Sequence, residues 1–279
     1  MPKAFVNGVN LYYEVTGKGF PLVLGHEFCA DFESWHHQVR FLQRRYQVIT
    51  YNARGWPPSD VPPDPKDYSW EHGVEDLYQL LRHLDIKQAY IGGLSLGGYV
   101  SLAFGMVHAE MAKGLILAAT GAGAFFDKEK RKEWERLYET HAQRIETEGM
   151  KAVKDEYANE AKRIQLRHKD PKGWQKYYDA LAAHSPIGSA HTIRRFIIPR
   201  PTIFELERKL KQIRIPTLIL TGDEDEPCVE PSLFMKRNIP HSGLVVFPQS
   251  GHTINVEEPE LFNWAVLDFL TAVDAGSWT

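Results

Sequence analysis

Gly93-Leu94-Ser95-Leu96-Gly97 is the stretch on which the reading of this chain turns. The residues before it, Ala89 to Gly92, form a short apolar run of the kind found in buried strands. The residues after it, Leu96 to Val107, read as a helix. A serine at such a junction, with glycine two positions to either side, predicts a tight strand-to-helix turn in strained backbone geometry. The turn would lift the Ser95 hydroxyl above the sheet and aim a helix N-terminus at whatever reacts there. The competing reading is a glycine-rich loop whose serine only caps the helix, and five residues do not separate the two.

Outward from this motif, strands and helices alternate. Upstream, Asn7-Gly8 lies between two β-prone runs and marks a hairpin, because both turn residues tolerate positive φ. Pro21 to Leu24 and Tyr46 to Tyr51 read as strands, with Trp35, Val39, Phe41 and Leu42 on one helical face between them. The proline-rich run Trp56 to Pro65 is a loop, followed by a helix carrying Val74, Leu77, Leu80, Leu81 and Leu84 on its apolar stripe. Downstream, Leu115 to Ala119 is a strand. Strand signals then vanish from Asp127 to about Ile213, where charged amphipathic stretches are broken near Pro171, Pro186 and Pro201. Alternation resumes with strands at Thr217 to Thr221 and Leu244 to Phe247, and helices at Glu230 to Asn238 and Leu261 to Val273. The pattern predicts an α/β protein with a mostly parallel sheet flanked by helices. The core would be residues 1–121 and 213–279, and residues 122–212 a helical insertion.

Bulk properties narrow the classes. The chain has 279 residues, a net charge of −3 and 25% charged residues, with no basic stripe to suggest nucleic acid. No apolar run approaches the roughly 20 residues that span a bilayer. Cys29 and Cys228 are the two cysteines and supply neither a disulfide framework nor a metal cluster, so a reduced, cytoplasmic protein is expected. Either cysteine would be a conceivable nucleophile, but neither sits in an elbow motif.

A serine hydroxyl is a weak nucleophile. It needs a base, and the base needs a group to orient it. After the strand at Thr217 come Asp223, Glu224, Asp225 and Glu226; after the strand at Leu244 comes Ser250-Gly251-His252. Both loops fall at the C-terminal ends of strands, where open α/β sheets place their sites. Spacing alone leaves Asp223 and Asp225 both open as the acid.

With those residues in view, the chain resembles the α/β-hydrolase fold superfamily over nearly its whole length. The resemblance rests on Gly93–Gly97, Asp225, His252, the His26 region and Asn52-Ala53-Arg54-Gly55. It implies a twisted eight-stranded sheet, a helical cap inserted after the sixth core strand, and a substrate pocket between core and cap. It favours Asp225 as the acid by its offset from the strand's glycine, giving Ser95, Asp225 and His252 as the catalytic set. It also implies an oxyanion hole from the backbone N–H groups of Leu96 and Phe28, since Phe28 stands where the family writes the last residue of His-Gly-X. Serine hydrolysis of a small carboxylic ester or lactone follows. Carbon–carbon hydrolysis of a diketone, or a non-catalytic small-ligand module on the same fold, are the rivals. Thr253 stands where several carbon–carbon hydrolases carry tryptophan. No metal or organic cofactor is implied. The expected partner is a small molecule, with no nucleic acid or membrane, and the chain could form a homo-oligomer.

Glu27 is the main departure, a carboxylate where the family has glycine. Either it turns away to pair with Arg54, the favoured expectation, or it contacts a cationic or hydroxyl-bearing part of the substrate or acts on a proton. His26, Glu27, Trp56, Tyr99, Phe125 and Phe126 are candidate substrate-pocket residues. Arg167, Arg194 and Arg195 in the insertion read as a solvated face rather than a site for a substrate carboxylate.

Overall fold

A computed structural model describes residues 2–278. Eight strands form one sheet: β1 (Lys3–Val6), β2 (Val9–Thr16), β3 (Phe20–Gly25), β4 (Tyr46–Tyr51), β5 (Ala89–Leu94), β6 (Ala112–Ala118), β7 (Thr217–Gly222) and β8 (Ser242–Phe247). Their order is β1-β2-β4-β3-β5-β6-β7-β8. β1 and β2 are antiparallel, as are β2 and β4, and every later pair is parallel. The hairpin expected at Asn7-Gly8 is present, with φ of 47° and 80° at its two turn residues. The central strands read as continuous apolar runs because both faces are covered: β5 and β7 are buried at every position.

Helices α1 (His36–Leu42), α2 (Trp70–His83) and α3 (Leu96–Val107) fill the crossovers of the first half. The stripe expected on α2 is buried at Val74, Leu77, Leu80 and Leu81, and Ser69 caps its first turn by accepting from the His72 N–H. Among the described residues, 119–216 contain helices and turns and no strand: α4 (Lys128–Glu148), α5 (Lys154–Ala158), α6 (Ile164–Lys169), α7 (Pro171–Ala182), α8 (Pro186–Thr192) and α9 (Glu207–Leu210). After β7 comes α10 (Glu226–Asn238), and after β8 come α11 (Ile254–Glu257) and α12 (Pro259–Asp274). The helix α10 starts four residues before the expected Glu230. Pro227 occupies its first turn, where a fixed φ and missing N–H cost nothing. No helix among the described residues is long and apolar enough to cross a membrane.

The arrangement brings the ends of β3, β5, β7 and β8 to one edge of the sheet, and each end carries one group of candidate residues.

Candidate active site

At the end of β5 the chain turns through Ser95, whose φ of 54° and ψ of −105° are strained for a residue with a Cβ. The turn exists because its neighbours have no side chains. A Cβ on Gly93 would lie 2.3 Å from the Gly97 carbonyl carbon, and one on Gly97 would lie 2.2 Å from the Gly25 carbonyl oxygen. The elbow is tied down by Ser95 N–H donating to Ala118 O at 2.8 Å and Gly97 N–H donating to His26 O at 3.0 Å. The strain makes a measurable prediction. Ser95→Gly removes the Cβ, relieving about 1–3 kcal/mol against about 0.5–1 kcal/mol of added chain entropy. It should therefore melt above Ser95→Ala by the equivalent of about 1 kcal/mol, roughly 2–4 °C for a chain of this size. Equal melting temperatures would show that the elbow is unstrained.

His252 and Asp225 meet across the ends of β8 and β7. Asp225 is fully buried and His252 is 2% exposed. Their Nδ1–Oδ2 distance is 2.8 Å. A carboxylate only accepts, so Nδ1 carries the proton and Nε2 is left as a base. Burial pushes the Asp225 carboxyl up, but neighbouring His252, Lys162 and Cys228 together outweigh it and hold the group below the usual range. Asp223, the other candidate acid, is exposed and accepts from the Ser250 N–H instead.

Two contacts that sequence reasoning missed hold the His252 loop. Glu257 accepts from the Gly251 N–H at 2.6 Å and from the Thr253 N–H and hydroxyl at 3.0 and 2.7 Å. The His252 N–H donates to Lys162 O at 2.6 Å, so the helical insert touches this loop directly. Gly251 permits that approach, since a Cβ there would lie 2.0 Å from the same carbonyl oxygen.

After β3, His26 is structural. The Ala53 N–H donates to its Nε2 at 3.0 Å, so its protonated Nδ1 donates to Glu27 O at 2.7 Å. Among the described residues, neither the Phe28 nor the Leu96 amide has a protein acceptor, so both are available as donors. Ser95, Leu96, Phe28 and His252 border one small cavity of about 30 Å³, with Trp134 and Tyr138 from α4 on its far side.

Glu27 departs from the expected pairing with Arg54. The Arg54 guanidinium is taken by the buried carboxylate of Asp76 on α2. Glu27 instead accepts from both terminal guanidinium nitrogens of Arg163, from the insert, at 2.8 and 2.7 Å. Glu27 is 1% exposed and Arg163 is 3% exposed. Burial alone would raise the Glu27 carboxyl, but the Arg163 charge and hydrogen bonds bring it down to about 2. Its Oε2 lies 3.9 Å from His252 Nε2. Arg163 follows Glu160-Ala161-Lys162 in a charged helical stretch, and nothing local to that stretch marks it as buried.

The remaining substrate-pocket candidates do not border the Ser95 cavity. Trp56 packs edge-on against Phe28, and the Tyr99 hydroxyl donates to Pro201 O. Phe126 is 69% exposed and stacks on Phe204, and neither it nor Phe125 borders the Ser95 cavity. Arg167 and Arg195 are exposed, and Arg194 pairs with Glu139 and Glu146. The Cys29 thiol is pushed up to about 12 by burial. Cys228 is likewise held neutral and donates to Ala119 O. Asp225, Cys228 and His252 bring three potential metal ligands within 4.8 Å of one another. The neutral thiol and the Asp225–His252 hydrogen bond favour a hydrogen-bonded cluster over a metal site.

A family model of the alpha/beta hydrolase fold matches residues 21–259. The chain is 27% identical over 246 residues to 3-oxoadipate enol-lactonase 2 of Acinetobacter baylyi, covering 88% of this chain and 86% of that protein. Among solved structures, the enol-lactonase of Burkholderia xenovorans superposes with a TM-score of 0.85 at 25% identity, covering 97% of this chain and 100% of that one. A thermophilic esterase of Thermogutta terrifontis, solved with malate bound, superposes with a TM-score of 0.86 at 28% identity, covering 98% of each chain.

Proposed function

This chain belongs to the alpha/beta hydrolase fold family and is an enzyme, and from that premise we propose that it hydrolyses a small carboxylic ester or lactone through an acyl-Ser95 intermediate. The observation that carries the reading is the strained Ser95 elbow opening into the same cavity as His252, whose Nδ1 is held from behind by buried Asp225. His252 Nε2 takes the Ser95 proton as Oγ attacks the carbonyl carbon, and Asp225 holds the imidazole and stabilises its cation. The tetrahedral oxygen is met by the Leu96 and Phe28 amides. His252 then delivers its proton to the leaving alcohol, and the same imidazole activates the water that frees the acid. In this reading residues 122–212 act as a cap over the site. The similarity to enol-lactonases and an esterase supports this class of substrate.

Diethyl p-nitrophenyl phosphate tests the nucleophile without a known substrate. One p-nitrophenolate should be released per chain, with the diethylphosphoryl group on the peptide containing Ser95. Phosphorylation of any other residue, with Ser95 unmodified, would refute the assignment.

A further inference from the structure

Among the described residues, the charged and titratable side chains that border the cavity at Ser95 are Glu27, Lys162, Arg163, Arg200 and His252. Four of them have ionic partners: Glu27 and Arg163 hold each other, Lys162 Nζ lies 3.2 Å from Glu160, and His252 meets Asp225. Arg200, between α8 and α9, is the exception. It is 9% exposed and has no carboxylate beside it. Its Nη2 donates to the carbonyl of Ala122, another residue of the cavity wall, at 2.9 Å. Its Nε and Nη1 have no acceptor among the described residues, yet neither is closed off from water.

The guanidinium is nonetheless held in place. It lies over the ring of Tyr99 at 4.9 Å and that of Phe196 at 5.9 Å. The Tyr99 hydroxyl donates to Pro201 O at 2.9 Å, which pins the Arg200 backbone to α3, the helix that Ser95 opens. Ring faces attract a cation but supply no countercharge. Burial is the largest influence on both Arg163 and Arg200. For Arg163, Glu27 helps to outweigh it and the pKa rises; for Arg200 nothing does and the pKa falls. A guanidinium still keeps its proton at neutral pH. An unpaired buried charge is costly, so an anion that reaches this one is stabilised.

The surroundings narrow the anion. The cavity has about 30 Å³ free, room for a water or two, so the group that meets Arg200 must be compact. The planar fork of a guanidinium matches a carboxylate. A phosphate dianion would bring a second charge, and Lys162 and Arg163 are already paired.

We propose, building on the serine-hydrolase reading, that Arg200 is the counter-ion for a carboxylate of the substrate, so that the favoured ester or lactone is anionic, with its carboxylate a short chain away from the carbonyl that Ser95 attacks. Two pairs of esters test this: monomethyl succinate with methyl isocaproate, and β-acetoxypropionate with isopentyl acetate. In each pair an isopropyl group replaces the carboxylate, which lies in the acyl half of the first pair and the alcohol half of the second. Acid release is followed at constant pH for the wild type, Ser95→Ala, Arg200→Met and Arg200→Lys. Comparing proteins on one pair cancels the intrinsic reactivity of the esters. In at least one pair Arg200→Met should lower the anionic-to-neutral ratio of kcat/KM by about tenfold or more, the scale of a hydrogen bond to a charged group. Arg200→Lys keeps the charge without the fork and should fall between. Methionine keeps the chain length and removes a charge that no carboxylate balances, so the variant strands nothing. Ratios that Arg200→Met leaves unchanged in both pairs overturn the inference and leave Arg200 a packing role on Tyr99 and Phe196. If none of the four esters is hydrolysed, labelling decides. One of the two anionic esters should slow phosphorylation of Ser95 by diethyl p-nitrophenyl phosphate in the wild type, and do so about tenfold less effectively in Arg200→Met. Protection that is equal in the two proteins, or absent from the wild type, overturns the inference. Hydrolysis that survives Ser95→Ala overturns the serine reading beneath it, which separates the two failures.

Discussion

Ser95→Ala should lower turnover of a favoured ester by a factor on the order of 10⁶ while leaving its binding nearly unchanged. The size of the effect follows from how the site is divided. In the proposed mechanism the base, its orienting acid and the oxyanion donors, each on a different loop, all act on one bond made by Ser95 Oγ. Without that oxygen His252 has no proton to take, and the Leu96 and Phe28 amides can only polarise a carbonyl for attack by water. The residual rate therefore comes from those amides and from binding, about 10³–10⁴ above water in comparable enzymes. The substituted side chain keeps its Cβ and its place in the elbow, so the fold is not at issue. The check is kcat for wild type and variant on the same ester, with the dissociation constant of the variant measured by calorimetry. A loss confined to KM, or a loss below about tenfold in kcat, would remove Ser95 from the chemistry.

What was legible in the sequence and what was not divides along a physical line. The elbow could be read because its demands are local: glycines at 93 and 97 are needed by contacts with backbone a few residues away or on the adjoining strand. His252 could be placed because it follows the strand β8, and the acid was narrowed to the loop after the fully buried β7, with the choice of Asp225 over Asp223 resting on the family resemblance. The parallel sheet was legible from the alternation of elements for the same reason. Charges whose meaning depends on docking were not legible. Arg54 looked available for Glu27 until Asp76, an unremarked acid on an amphipathic helix, was found to hold it. Arg163 sits among Glu160, Lys162 and Arg167, a composition that ordinarily faces water, and only the packing of the insert onto the His252 loop buries it. Glu257 was passed over because a carboxylate on a four-residue helix has no pattern of its own. Phe125 and Phe126 misled in the opposite sense, being aromatic but held away from the cavity, Phe126 by a surface cluster with Phe204 and Phe234.

Arg163→Met should cost about 3–5 kcal/mol of stability, because it strands the Glu27 carboxylate in a site from which water is excluded. Glu27→Gln should cost less, since Arg163 keeps a second partner in Glu160 at 3.4 Å, and Glu160 reaches solvent. The double variant should recover much of the loss, because it removes both charges from the low-dielectric site; the recovery measures the coupling of the pair. The pH dependence gives a sharper signature. In the wild type the Glu27 carboxyl is lowered from 4.5 to about 2. The native state thus holds the proton more weakly than the unfolded chain does. Its contribution is complete above the ordinary carboxyl range and is lost as pH falls from about 5 towards 2. In Arg163→Met the sign reverses. Burial, the largest influence on this group, then raises its pKa, with the His252 and Lys162 charges offsetting only part of that. A raised carboxyl favours the fold while protonated, so the variant loses stability as pH rises and its deficit against wild type is greatest near neutrality. Urea unfolding of the four proteins between pH 4 and pH 8 decides the matter. A deficit that is flat with pH would mean that the guanidinium contributes packing rather than charge compensation. The same stranded charge borders the Ser95 cavity, where the proposed mechanism develops an oxyanion, so Arg163→Met should also lose about 10²-fold in kcat, the scale of one missing oxyanion donor. Restoration of that rate in the Glu27→Gln, Arg163→Met double variant would assign the loss to the uncompensated carboxylate. Failure to restore it would assign the loss to the docking of the insert, through Lys162 O, on the His252 loop.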